Sequence, residues 1–408
     1  MDRLLLLVPT TSYRVSDFLA AARRLDVAVA VGSERRQVLE RYSDGGTLRL
    51  DMADSDAGLR QVLDYARRYP LRAIVAVDEE TTLIAAKAAA ALGLPHNPAE
   101  AVAACLDKSR FRARLTEAGL PQPRFRLLSL SANSAEAAAA ADYPCVLKPL
   151  SLSASRGVIR ADNPAEFTTA VDRIGRILAA SGVRGPAAET ILVEDYLPGV
   201  EVALEGLLTA GRLQVLALFD KPDPLEGPTF EETLYVTPSR QPTARQAAIA
   251  RTAAAAAAAL GLREGPVHAE LRLDADSIWT IEMAARSIGG LCARSLSFGT
   301  GLTLEDLILR HALGLPAEVP ERERRAAGVM MIPIPGPGVL RGVGGLEAAR
   351  ALPSIREVTI SIPRGQAVVP LPEGDRYLGF IFAKAETPAA VEAALREAHR
   401  LLHFDIEP

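Results

Sequence analysis

The chain has 408 residues, 49% of them apolar and 24% charged, with a formal net charge of -4. At roughly 100–200 residues per domain this length predicts a multidomain protein, and the near balance of charge supplies no field for gripping nucleic acid. No apolar run reaches the ~18 residues of a membrane span.

Met1-Asp2-Arg3 ahead of Leu4–Val8 has the outline of a signal peptide, but the apolar run is short and no small-residue cleavage site follows. It reads as a buried first strand. Short apolar runs and helical patterns then alternate through Ser16–Leu25, Val27–Val31, Gly58–Arg68, Ala73–Val77 and Thr81–Leu92, which predicts a parallel sheet covered by helices. The first strand runs into Pro9-Thr10-Thr11-Ser12 without a GxGxxG pattern, so a dinucleotide site is not expected. Leu94–Pro98 punctuates the chain as a domain edge.

From Ala99 to Leu120 the pattern predicts one helix, stopped by Gly119, Pro121 and Pro123. Strand-like runs follow at Cys145–Lys148, Val158–Arg160, Ile191–Glu194, Glu201–Leu208, Leu213–Phe219, Val267–Leu273 and Ile278–Met283, several joined by short turns that imply antiparallel pairs. Ala253–Ala259 belongs to a helix. Pro333, Pro335 and Pro337 with Gly336 and Gly338 mark a second boundary, beyond which lie strands at Val358–Ile362 and Tyr377–Ala383. A last helix runs from Pro388 to Leu402 with Thr387 as its N-cap. Cys105, Cys145 and Cys292 lie far apart without zinc or redox spacing, which fits core thiols in a reducing cytoplasm.

Four groups of residues carry candidate chemistry. Lys148 closes an apolar strand next to the small-residue loop Ser151–Gly157; such a lysine can meet a phosphate while loop N–H groups close over it, although a strand-end lysine reaching solvent has the same pattern. In Val193–Glu201, Glu194, Leu197 and Glu201 flank a turn at Gly199 and can serve a base and a ribose, or can be solvated turn residues. Glu270 and Glu282 fall in two strand-like runs joined by Asp274–Ser277. A hairpin centred near Asp276 sets the two carboxylates opposite each other with Cβ atoms about 5 Å apart, a repulsive pairing that a magnesium ion carrying phosphates relieves. Arg286 follows Glu282 by four residues and precedes Ser287-Ile288-Gly289-Gly290; it can clamp a carboxylate or a phosphoryl group, or lie on the surface.

Together with Ala86–Pro95 and the segment Asp107-Lys108-Ser109-Arg110-Phe111-Arg112 to Pro123, these motifs resemble the ATP-grasp superfamily over nearly the whole chain, in its carboxylate–amine ligase branch near bacterial L-amino-acid ligases and more distantly biotin carboxylase. The resemblance implies a mixed α/β and α+β multidomain fold: a Rossmann-like N-terminal domain at 1–98, a helical linker at 99–142, an ATP-grasp lid at 143–200, an ATP-grasp core with the metal site at 201–325, and a small C-terminal α/β subdomain at 326–408. It implies that Lys108 and Lys148 contact ATP, that Ser151, Ser153, Ser155 and Gly157 belong to the loop over the phosphates, that Glu194, Asp195 and Leu197 flank the adenine, and that Glu201 takes the ribose. Glu270 and Glu282 would bind Mg2+, with Mn2+ as the alternative, and Arg286 would stabilise an acyl phosphate beside Gly289 and Gly290. Glu232 is the candidate for a substrate ammonium.

The partners implied are a small carboxylate and an amine, with no nucleic acid and no membrane, and a homodimer is possible because the N-terminal domains of similar enzymes often pair. One departure stands out: the family usually has Asn two residues after the bridging glutamate, where this chain has Ala284. The expected activity is ATP-dependent amide formation. Its alternatives are a bicarbonate-activating carboxylase, or a nucleotide-binding scaffold whose chemistry was lost at Ala284.

Overall fold

The computed structural model describes residues 3–35, 44–299, 301–315 and 321–408, so Met1 and Asp2 of the apolar start lie outside the described residues. Strand β1 (Arg3–Leu7) is followed by α1 (Val15–Arg24), β2 (Val29–Ser33), β3 (Thr47–Arg49), α2 (Ser55–Ala66), β4 (Leu71–Ala76) and α3 (Glu79–Leu92), with a parallel sheet in the order β3-β2-β1-β4. The apolar run of β1 does not alternate because both of its faces are covered. Leu4 and Leu6 pack with Phe18, Ala21 and Ala22 of α1, and Leu5 and Leu7 pack with Val62 and Tyr65 of α2 and Ile84 and Ala85 of α3. The alternation seen in the sequence is this sheet, apart from the short strand β3.

The periodic stretch after Pro98 is two helices instead of the single one expected, α4 (Ala99–Leu106) and α5 (Lys108–Glu117). Asp107 breaks the pattern: it is extended at φ -128° and ψ 108°, and its carboxylate accepts the backbone N–H groups of Ser109 and Arg110. The aspartate wins at this position by capping the new helix. Lys108 thereby opens a helix at the edge of the central cleft.

A second unit comprises β5 (Phe125–Ser129), α6 (Ser134–Ala139), β6 (Cys145–Pro149), β7 (Ile159–Ala161), α7 (Pro164–Ser181), α8 (Pro186–Glu189) and β8 (Thr190–Asp195). Its antiparallel sheet, ordered β5-β8-β6-β7, is covered by α7 through Phe167, Ala170, Ile174 and Leu178.

The remaining chain forms β9 (Val200–Thr209), β10 (Arg212–Lys221), β11 (Leu234–Thr237), α9 (Thr243–Leu260), β12 (Gly265–Leu273), β13 (Ile278–Ala284), a 3-10 turn at Cys292–Ser295, α10 (Leu304–Ala312), β14 (Ala326–Ile332), β15 (Gly338–Gly344), α11 (Leu346–Arg350), β16 (Ile355–Ile360), β17 (Ala367–Val368), β18 (Gly379–Ala385), α12 (Pro388–Arg400) and β19 (His403–Glu407). Eight of these strands make one antiparallel sheet in the order β13-β12-β9-β10-β11-β14-β18-β16. The C-terminal region therefore contributes β14, β16 and β18 to the central sheet and keeps only β17-β15-β19 as a sheet of its own. Thr387 caps α12 as expected, accepting the Ala390 N–H at 3.2 Å, with Pro388 at the first helical position.

The parallel-sheet unit is fastened to the central sheet by Arg14. Its guanidinium, 1% exposed, donates to Ser287 Oγ at 2.7 Å, to the Ile288 carbonyl at 2.9 Å and to Glu305 at 2.8 Å. Removing one partner of such a pair leaves a buried charge uncompensated, at a cost of about 3–5 kcal/mol. Arg14→Ala is accordingly expected to lower the urea midpoint substantially, and a variant that unfolds like the parent would show that this pair does not hold the two units together.

Candidate active site

The units enclose a cavity of about 500 Å³. The parallel sheet offers Tyr13 and Asp78–Glu80 to it, the linker offers Lys108, and the second unit offers Lys148, Ser153, Ser155, Glu194, Asp195 and Leu197. The central sheet adds Glu201, Glu232, His268, Glu270, Arg272, Glu282, Arg286, Gly289 and Gly290. Most of the sequence-predicted site residues thus meet in one place. Ser151 and Gly157 do not line it: Ser151 is exposed, and the Gly157 N–H is held by the Pro372 carbonyl at 2.9 Å. The loop between them holds Ala154 and Ser155 at φ 55°, a left-handed conformation costly for residues other than glycine.

Strands β12 and β13 form the expected hairpin, and Glu270 and Glu282 are direct cross-strand partners. Their surroundings differ. Glu270 lies 3.5 Å from Lys221 and 3.6 Å from His268 Nε2, and although burial alone would raise its pKa, these cations hold it below the ordinary carboxylate range. Among the described residues Glu282 is ion-paired with Lys108, at 3.7 Å, and burial raises its pKa against the pull of Lys108 and Lys148. Ala284 stands opposite His268, so at this level of the hairpin the polar group is on the facing strand. His268 Nδ1 is 3.2 Å from Glu205; burial would depress the imidazole, but Glu205 and Glu270 outweigh it and push it up to about 9.

A second cluster, not anticipated, surrounds Lys221. Its ammonium is 2.6 Å from Glu201 and also bonds Glu232, and the carboxylates of Glu201, Glu232 and Glu270 come within 4.8 Å of one another. Three carboxylates keep Lys221 protonated well above its usual range. Burial and the charge of Glu270 push Glu232 up to about 7. Glu201 is further tied to Arg272 at 3.5 Å, so the carboxylate that the resemblance assigns to a ribose is buried and doubly paired.

Glu194 is likewise engaged. It bridges Arg112, 2.5 Å away, and Lys148, 2.6 Å away, with all three groups buried. One carboxylate between two cations leaves an uncompensated positive charge facing the cavity near Lys148, which suits an anionic ligand. Asp195 is held by Arg124 at 2.6 Å. Lys108 donates to the Leu152 carbonyl at 2.8 Å, linking α5 to the loop after β6. Arg286 pairs with Glu79 of α3 at 2.7 Å, and that carboxylate keeps the guanidinium charged despite burial.

Three family models match successive parts of the chain: an ATP-grasp N-terminal domain at 19–96, an ATP-grasp domain at 141–295, and L-amino acid ligase C-terminal domain 2 at 330–407. The chain belongs to the ATP-grasp superfamily. Among solved structures, the L-amino acid ligase of Bacillus licheniformis is 26% identical, with a TM-score of 0.81 over 100% of this chain and 99% of that one. The biotin carboxylase domain of the Hydrogenobacter thermophilus 2-oxoglutarate carboxylase, crystallised with MgADP, ADP and bicarbonate, shares the fold at 15% identity and a TM-score of 0.70, over 100% of this chain and 91% of that one. The uncharacterized protein y4rH of Sinorhizobium fredii (strain NBRC 101917 / NGR234) is 22% identical over 100% of this chain and 84% of its own length. Among the described residues no helix is long and apolar enough to cross a membrane.

Within this ATP-grasp cleft, sequence reasoning missed Glu79, Arg112, Lys221, His268 and Arg272. His268 and Arg272 each stand two residues from Glu270 on one strand, so period-two alternation could have placed them on its face. Lys221 faces Glu201 across β9 and β10, a register visible only once the hairpin is known. Glu79 and Arg112 arrive from separate elements and leave no local signal.

The bridge at Glu194 has a measurable pH signature. Burial alone would raise its pKa, but Arg112 and Lys148 lower it from the ordinary 4.5 to about 2, which corresponds to about 3 kcal/mol of stability. Because the folded value is depressed, that contribution is complete above the ordinary carboxylate range and disappears as the pH falls through about 2. Urea unfolding at several pH values should show Glu194→Gln less stable than the parent at pH 7, with the gap closing toward pH 2. A gap that does not change with pH would remove this role from Glu194.

Proposed function

We propose that this chain is an ATP-dependent ligase that activates the carboxylate of an amino acid as an acyl phosphate and couples it to an amine, forming an amide with release of ADP and phosphate. The observation that carries the reading is the cross-strand pair Glu270 and Glu282 in one cavity with Lys108, Lys148 and Arg286. The L-amino acid ligase C-terminal domain and the likeness to the Bacillus licheniformis enzyme support amino acids as substrates. Its three cysteines are free and buried, which suits the reducing cytoplasm we propose as its location.

The donor set at the hairpin is two carboxylates, hard oxygen ligands that suit Mg2+ or Mn2+, and Ala284 adds no side-chain oxygen. Glu282, ion-paired with Lys108, and Glu270 are the residues that would hold the metal, which when bound neutralises charge on the transferring phosphate. In this reading Lys148 and Lys108 bind the phosphates, the loop after β6 shields them from water, and Arg286 steadies the charge on the activated carboxyl group. The ion pair with Glu79 and the hydrogen bond from Nη1 to the Ser287 carbonyl, at 3.0 Å, fix the Arg286 fork before a substrate arrives. A donor set in advance of the reaction needs no reorganisation in the transition state.

Phosphate release from ATP and Mg2+, measured with amino acids singly and in pairs and followed by mass spectrometry of the product, tests the assignment. Amide product is the expected outcome, and turnover with bicarbonate alone would replace the ligase by a carboxylase. Glu282→Ala should lower metal-dependent ADP formation about 100-fold or more while unfolding like the parent; normal turnover in this variant would take the metal site away from the hairpin.

A further inference from the structure

Strand β9 turns one face toward the apolar core that also holds Ile288 and Phe298, and on that face Glu205 stands between Ala203 and Leu207. Its side chain is 0% exposed and does not line the cavity. A carboxylate breaks the apolar pattern here, and burying one is costly unless it is paired. On the neighbouring strand β10 the register shifts between Val215 and Ala217, opposite Gly206 and Glu205, an irregularity of the kind that re-aims a side chain.

Two donors converge on one oxygen of this carboxylate. Oε2 accepts the Ile288 N–H at 3.0 Å and lies 3.2 Å from His268 Nδ1, while Oε1 has no hydrogen-bond partner among the described residues. The Ile288 N–H belongs to the same peptide group as the Ser287 carbonyl, and that carbonyl accepts Arg286 Nη1 at 3.0 Å. Because a trans peptide group is planar, with its N–H and C=O pointing in opposite directions, a bond that fixes one of them fixes the other. Both flanks of the peptide are held as well, since Arg14 donates to Ser287 Oγ and to the Ile288 carbonyl. Gly289 and Gly290 follow, so the turn has little stiffness of its own and depends on these clamps.

We infer that Glu205 is a positioning residue for Arg286: it holds the Ser287–Ile288 peptide with its carbonyl turned toward the guanidinium, which aims the fork before substrate arrives. The inference rests on the ligase reading above, in which Arg286 steadies charge on the activated carboxyl group. With the acceptor withdrawn, the peptide is free to rotate, the Ser287 carbonyl leaves Nη1, and the pair with Glu79 has to orient the guanidinium without it. A misplacement of about 1 Å in a group that acts on the reacting centre costs about 100-fold in rate.

Glu205→Asp and Glu205→Gln separate this role from a role through charge. The aspartate keeps the charge but draws the acceptor back by about 1.5 Å, whereas the glutamine keeps an oxygen at the position of Oε2 and gives up the charge. Urea unfolding of each variant allows rates to be taken per folded molecule, and ADP formation is then measured with ATP, Mg2+ and an equimolar mixture of the protein amino acids. Glu205→Asp is expected to lower kcat about 100-fold with the KM for ATP within about two-fold of the parent, and Glu205→Gln to keep kcat within about three-fold. On an Arg286→Lys background, Glu205→Asp should cost less than about three-fold further, because both changes disable one interaction. Should Glu205→Asp fail to fold, Glu205→Met, which fills similar space without an acceptor, takes its place. Parental kcat in the folded Asp or Met variant, an active Asp variant beside an inactive Gln variant, or a loss that adds in full on the Arg286→Lys background would overturn the inference and leave the ligase standing. A parent protein that forms no ADP with any amino acid would overturn the ligase reading and this inference with it.

Discussion

Two glutamates face each other across neighbouring strands of the central sheet, and much of the cleft is arranged around that repulsion. Like charges directly opposite in a ladder destabilise it, the more so when buried. The structure answers with unequal neighbours: Glu270 is ion-paired with both Lys221 and His268, while among the described residues Glu282 is ion-paired with Lys108. The carboxylate left least compensated is the one on the side of Arg286. In the ligase proposed above, the unbalanced charge at that edge would take a cation, and the surplus positive charge at Lys148 and Arg112 would take phosphates.

The same economy of contacts explains why three units are needed. The hairpin supplies both carboxylates and Arg286, yet Arg286 is oriented by Glu79 from α3, and the turn after it is clamped by Arg14 from the loop before α1. Lys108 enters from a helix whose start is dictated by the Asp107 cap. Each element therefore positions a group that another element uses. The replacement of the family's usual asparagine by Ala284 falls within this scheme: the ring of His268 occupies the facing position, tied to Glu205 and Glu270, so the hairpin keeps polarity at that level.

Reading from sequence reached the parts governed by local rules. Hydrophobic periodicity located the parallel sheet, its helices and the β12–β13 hairpin, and simple counting across the turn gave the Glu270 to Glu282 register. It failed at Asp107, where a capping side chain overrode an unbroken helical pattern. It named no strand at Ala326–Ile332, although β14, apolar and buried throughout, extends the central sheet. Candidate site residues were legible where a strand end or a hairpin fixed them, as at Lys148 and Glu282. Those that depend on a meeting of distant segments, such as Lys221 with Glu232 or Arg286 with Glu79, needed the fold.

The central claim is that a substrate carboxylate attacks the terminal phosphorus of ATP, and the oxygen it leaves behind is the most direct record of that event. An amino acid labelled with 18O in both carboxylate oxygens, turned over with unlabelled ATP in unlabelled water, should yield inorganic phosphate carrying one 18O atom. Phosphate released without label during turnover would mean that water, not a carboxylate, receives the phosphoryl group, and would contradict the account.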